Sequence, residues 1–128
     1  MIKCNPEILN ELPLNSHYEN NLTVLVIQSG TKYLTKKMFK YSINLEFISI
    51  PLSVEEIENG TFDECTKLRV VECDPKFLNY FTNQFITTFI IQEGVKFIYK
   101  NHFEGINYIQ NFIIPKSVKF IEEGDFII

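Results

Sequence analysis

At 128 residues the chain is long enough for one domain with a substantial core and too short for two. Its hydrophobic content of 45% and charged content of 22% are those of an ordinary folded protein. A net charge of −4, with the lysines scattered, excludes the basic stripe by which proteins bind nucleic acid or an anionic membrane surface. The chain has no tryptophan and no alanine, and it is rich in Ile, Phe, Tyr, Val and Thr. Lacking the best helix former and rich in β-branched and aromatic residues, it reads as strands rather than a helical bundle.

In chain order, the opening MIKCNPEILN has no apolar run behind a basic start, so it does not read as a signal peptide. No stretch nears the roughly 20 apolar residues of a membrane-crossing helix, and the ending GDFII is no prenylation signal. Three cysteines, an odd number, suit a reducing compartment. The expectation is a cytoplasmic protein that does not enter the membrane, although surface exposure stays open. On that basis the Asn-x-Thr sequons at Asn21 and Asn59 are read as chance.

From residue 22 onward the chain repeats. The phrase IPLSVEEIENGTF (50 to 62) returns as IPKSVKFIEEGDF (114 to 126). A step of 23 residues joins Cys4, Ile27, Ile50 and Cys73, and another joins Leu22, Leu45 and Leu68. One step then shortens to 18, reaching Ile86, and the next returns to 23 at Ile109. The units are 1–21 (partial), 22–44, 45–67, 68–85 (short), 86–108 and 109–128 (partial), all in one domain, 1–128. In the partial first unit, KCNPEILNEL lines up with ECDPKFLNYF of the short one.

Each position in the unit has a physical reading. The first, fourth and sixth residues are apolar, as in Leu45, Ile48 and Ile50, and put the last two on one strand face. A turn follows at Gly30-Thr31, Ser53-Val54, Gly94-Val95 and Ser117-Val118. Another apolar anchor stands at Leu34, Ile57, Ile98 and Ile121, then a phenylalanine at Phe39, Phe62, Phe103 and Phe126. Each unit therefore holds a strand, a corner, a second short extended piece and a turn carrying a buried ring. Such a unit cannot bury its own apolar face, so neighbours must stack as a solenoid with one parallel strand per coil.

The residues LEFISIPLSVEEIENGTFDECTKL resemble the unit of the BspA-type leucine-rich repeats, with Cys65 at the late cysteine of that pattern. IQNFIIPKSVKFIEEGDF is similar. Thr61, Met38, His102 and Asp125 stand where the family usually has alanine, Ser42 and Ile106 replace the late cysteine in two other units, and the short unit loses five residues from its convex side. The resemblance implies an α/β horseshoe of about six coils. A curved parallel sheet would line its concave side, with short extended, 3-10 or helical turns on the convex side. The family is abundant in some bacteria and protists, which suits the composition, and its members are binding and adhesion modules rather than enzymes.

No catalytic or metal constellation is visible, so no cofactor is expected. His17 and His102 are the only histidines, and His102 precedes a core phenylalanine. Cys4 and Cys73 occupy the inward sixth position and Cys65 the inward late position; all three read as small apolar groups. The acidic stretches EEIE and IEEGD read as solvated turns.

The informative surface is the concave face, where the third, fifth and seventh residues of each strand point away from the core. These are Val24, Val26 and Gln28; Phe47, Ser49 and Pro51; Val70, Glu72 and Asp74; Thr88, Ile90 and Gln92; Asn111, Ile113 and Pro115; with Lys3 and Asn5 extending the set. Several are large and apolar, the mark of an interaction surface, with Phe47 as a natural anchor. The expected function is non-enzymatic binding of a protein partner, as yet unidentified, through this face. The alternative is a structural or adhesive protein that self-assembles, as in a homodimer, through uncapped solenoid ends at Phe126, Ile127 and Ile128.

Overall fold

The structure is a computed structural model that describes residues 2–4 (backbone only), 22–81 and 86–123. His17, Asn21, Asn5 and the chain-end residues Phe126, Ile127 and Ile128 lie outside the described residues, as does the side chain of Cys4.

The first strands of the successive repeats are β1 (Ile2–Cys4), β2 (Val24–Ile27), β4 (Phe47–Ser49), β6 (Val70–Cys73), β7 (Thr88–Ile91) and β9 (Asn111–Ile113). They form a six-stranded sheet in the order β1-β2-β4-β6-β7-β9, every pair parallel. The second extended pieces are β3 (Tyr33–Leu34), β5 (Glu56–Ile57), β8 (Phe97–Ile98) and β10 (Phe120–Ile121). They pair, also in parallel, as β3 with β5 and β8 with β10. Three 3-10 helices follow, Lys36–Phe39, Pro75–Tyr80 and Lys100–Phe103.

The apolar period explains the sheet. Leu22, Leu25 and Ile27 are buried, and so are their equivalents Leu45, Ile48 and Ile50, then Leu68, Val71 and Cys73, then Ile86, Phe89 and Ile91. Ile109, Phe112 and Ile114 are only half-buried, because β9 is the edge of the sheet and has one neighbour. The 23-residue step is the sheet register itself, since Ile27 lies opposite Cys4 and Leu25 opposite Ile48.

Opposite the sheet, the repeated phenylalanine makes a column. Phe39 and Phe62 have ring centroids 5.0 Å apart, and Phe62 stacks on Phe81 at 4.5 Å. Phe81 supplies the ring of the short repeat, a residue that the 23-residue step does not reach. Such close ring pairs add to the area they bury. Behind the column, Ser42 and Cys65 are both buried at the same place in successive repeats, with Ile106 half-buried at the third.

The short repeat departs from expectation in one respect. The residues it lacks are those of the corner and the second strand. Cys73 leads through Asp74 directly into the 3-10 helix Pro75–Tyr80, whose start Asp74 caps by accepting from the Lys76 amide at 3.0 Å. No second strand is formed there among the described residues, and the second-strand row is split in two.

Candidate functional site

The register lines the outward residues of the large sheet into two straight rows. One runs Val24, Phe47, Val70, Thr88, Asn111; the other Val26, Ser49, Glu72, Ile90, Ile113. In the backbone register Lys3 lies opposite Val26. Gln28, Pro51, Asp74, Gln92 and Pro115 lie just past the strand ends. Alternation along each strand thus brings together the residues that the spacing picked out.

Their surroundings are less open than a bare patch. Gln28, Asn111 and Ile113 are exposed, while Val24, Val26, Phe47, Val70, Glu72, Asp74, Thr88, Ile90 and Gln92 are half-buried. Ser49 is buried; its hydroxyl donates to Glu72 Oε1 at 2.6 Å, so it fixes a neighbour rather than facing a partner. Glu72 is held by that bond and Asp74 by its capping role. The free chemistry of the face is therefore mainly apolar, with polar ends at Gln28 and Asn111.

Much of the exposed apolar surface lies elsewhere. Tyr33, Leu52, Phe97, Tyr99 and Phe120 are exposed on the corners and second strands, Tyr33 and Phe97 by more than half, whereas Ile113 is the exposed large apolar residue of the sheet face. Phe97 lies opposite Phe120 in the register and stacks with Tyr99 at 6.4 Å. The sequence carried this signal at Tyr33 and Phe97, each just before a buried anchor, Leu34 or Ile98; on the last short strand Phe120 and the expected anchor Ile121 are both exposed.

The corners carry a device that the repeat pattern only hinted at. Ser53 Oγ accepts from the Gly30 amide at 2.9 Å and donates to the Thr31 carbonyl at 2.8 Å. Ser117 does the same for the Gly94 amide and the Val95 carbonyl, at 3.0 and 2.9 Å. Gly30 and Gly94 have φ of 98° and 103°, which glycine adopts without strain. One turn later, Glu58 accepts from the Lys36 amide and Glu122 from the Lys100 amide. Repeats thus pair as glycine corner followed by serine corner.

A cavity of about 820 Å³ opens at the corners, lined by residues such as Gln28, Pro51, Leu52, Ser53, Gln92 and Glu93. Gln92 Oε1 is buried there without a hydrogen-bond partner among the described residues. The two described thiols, Cys65 and Cys73, are buried. Burial pushes Cys65 up to about 12, with Glu64 and Asp63 adding to it, and pushes Cys73 well up too. His102 packs edge-on against Tyr99 at 5.7 Å, half-buried. Among the described residues no cluster of three or more metal-ligating side chains occurs, and no helix is long and apolar enough to cross a membrane.

The family model described as BspA type leucine rich repeat region matches residues 10–127 in six copies. No curated protein and no solved structure is significantly similar to the chain.

Proposed function

The chain belongs to the BspA-type leucine-rich repeat family, a class of protein-interaction and adhesion modules, and from that membership we propose that it is a non-enzymatic module binding a protein partner on the outward face of its large sheet. The observation that carries this reading is the pair of straight rows across the sheet, Val24 to Asn111 and Val26 to Ile113. Parallel strands present such rows as a rigid, evenly spaced surface, and its half-buried apolar residues lose little conformational freedom on contact. Phe47 supplies an aromatic anchor in the row, and Ile90 and Ile113 supply apolar contact beside it.

The test compares capture of partners by the wild-type chain with capture by the Phe47→Glu, Ile90→Glu double variant. The variant is first shown to be folded by its urea midpoint. A protein held by the wild type and lost by the variant supports the sheet face. An identical captured set from both defeats the reading.

A further inference from the structure

Asn59 is the one asparagine of the chain that is followed by glycine. It lies exposed in the turn that leads from β5 to Phe62. Residues Glu58, Asn59, Gly60 and Thr61 close that turn: the Thr61 amide donates to the Glu58 carbonyl at 3.1 Å. Gly60 has a φ of 81°, and among the described residues only glycines have a positive φ. A negative φ followed by a positive one is the type II pattern, with glycine as the third residue of the turn. Neither the Asn59 side chain nor the Gly60 amide has a hydrogen-bond partner among the described residues.

An asparagine before a glycine can modify itself. The Gly60 nitrogen gives its proton to solvent and bonds to the side-chain carbonyl carbon of Asn59. The side-chain nitrogen takes a proton from solvent and leaves as ammonia. The five-membered succinimide that remains takes up one water. Water entering at the side-chain carbonyl yields aspartate, and water entering at the main-chain carbonyl yields isoaspartate. One water is consumed and one ammonia released, with no change of oxidation state. Glycine favours the reaction because it places no side chain beside the attacking nitrogen.

The closed turn opposes that reaction. The ring forms only when the Asn59 Cβ swings alongside the Gly60 nitrogen. A type II turn gives its second residue a ψ of about +120°, which holds that Cβ well away. The turn must therefore open first. Opening breaks two bonds to one acceptor, because the buried Thr61 hydroxyl also donates to the Glu58 carbonyl. Two such bonds lower the open fraction by about a hundredfold at most. Opening of this kind is local and needs no global unfolding.

We propose that Asn59 is a site of slow self-deamidation, gated by the hold of Thr61 on the Glu58 carbonyl. The two products differ in effect. The second copy of the repeat phrase has Glu123 at this place, so a carboxylate on an ordinary main chain suits the turn. Isoaspartate instead adds a methylene to the main chain itself. It lengthens the turn between Glu58, whose carboxylate accepts from the Lys36 amide at 2.8 Å, and Phe62, whose ring touches Phe39 and Phe81. The isoaspartate product thus loosens the contact between repeats 22–44 and 45–67.

The test ages the full chain at mildly alkaline pH and follows residue 59 by peptide mapping with mass spectrometry. The wild-type chain and a Thr61→Val chain are aged beside capped peptides copying residues 55–64, with and without the same substitution. Valine keeps the shape of threonine and removes the hydroxyl, and a urea midpoint shows the variant to be folded. The two peptides convert at one rate. The folded wild type converts more slowly than its peptide, and Thr61→Val speeds the folded chain by about two- to tenfold, the worth of one hydrogen bond. Protein enriched in isoaspartate unfolds at lower urea, whereas Asn59→Asp unfolds with fresh wild type. No acid form at residue 59 of the folded chain after about a hundred peptide half-times overturns the proposal. Equal rates in the folded wild type and its peptide, or in the folded wild type and the folded Thr61→Val chain, overturn it as well. An unfolding midpoint unmoved by isoaspartate overturns the loosening.

Discussion

The hydroxyl of Ser117 stands 3.0 Å from the amide nitrogen of Gly94, and it bridges two repeats at a point where neither has a strand. Gly94 turns its amide outward because its φ is 103°, and the serine of the next repeat meets it. Ser53 and Gly30 repeat the arrangement. This accounts for the duplicated phrase: the serine in each copy holds the corner of the repeat before it.

Ser117→Ala should lower stability by about 0.5–1.5 kcal/mol, the net value of a hydrogen bond whose donor lies near solvent. Ser53→Ala should cost a similar amount. Urea denaturation measures both, and faster amide exchange at Gly94 or Gly30 should accompany the loss. A fall in stability without a change at the glycine would detach the serine from this role.

Gly94→Ala and Gly30→Ala should not behave alike. Each forces a side chain into a left-handed backbone, at about 1–2 kcal/mol. A Cβ at Gly30 meets nothing within 4 Å, whereas one at Gly94 meets Leu52 Cδ1. Gly94→Ala should therefore cost more, and Leu52→Ala should remove the excess but not the rest. A double-mutant cycle on urea midpoints isolates that coupling. Equal costs at the two glycines would show that Leu52 yields freely.

Phe62 touches rings on both sides, Phe39 at 5.0 Å and Phe81 at 4.5 Å. Phe62→Ala should cost about 3–5 kcal/mol, the usual range for an aromatic core residue cut to alanine. Equilibrium unfolding followed by circular dichroism reads the loss. A cost under about 1 kcal/mol would mean that the column collapses freely around the hole.

The buried thiols give the fold a pH limit on the alkaline side. Cys65 is raised from its usual 9.0 to about 12, and Cys73 is raised too, both chiefly by burial. Above the unfolded value the unfolded chain loses these protons while the folded chain keeps them. The unfolded state then binds fewer protons, so stability falls as pH rises. Stability should be unaffected by these groups below pH 9 and fall between 9 and about 12. Cys65→Ser, Cys73→Ser should flatten that slope in denaturation curves taken across the window. In a Cys4→Ser background, Cys65 and Cys73 should resist a disulfide reagent at neutral pH and react once the chain is unfolded.

The strand register was legible in the sequence because a single spacing controls it. Leu25 to Ile48, or Val26 to Ser49, is a step of 23, and stacking makes that step the pairing of neighbours. Where the step breaks, the pattern lost its power. The ring of Phe81 and the capping of Pro75–Tyr80 by Asp74 depend on a local shortcut that no neighbour repeats. Alternation puts Ser49 in one row with Val26 and Glu72, but its burial goes with a bond to Glu72 across the sheet that alternation alone does not encode. Glycine and serine at one corner position looked like interchangeable small residues. Only the hydrogen bonds show that they are complementary halves.

That complementarity limits how such a chain can lengthen. Ser53 serves 22–44, and Ser117 serves 86–108; neither serves its own repeat. Copying a single repeat into the array would leave a glycine corner unheld or a serine with nothing to hold. Copying a glycine repeat together with its serine repeat keeps each glycine corner held. The unit that keeps its glycine corner held when copied is then the couple, and the short repeat at 68–85 stands between the two couples.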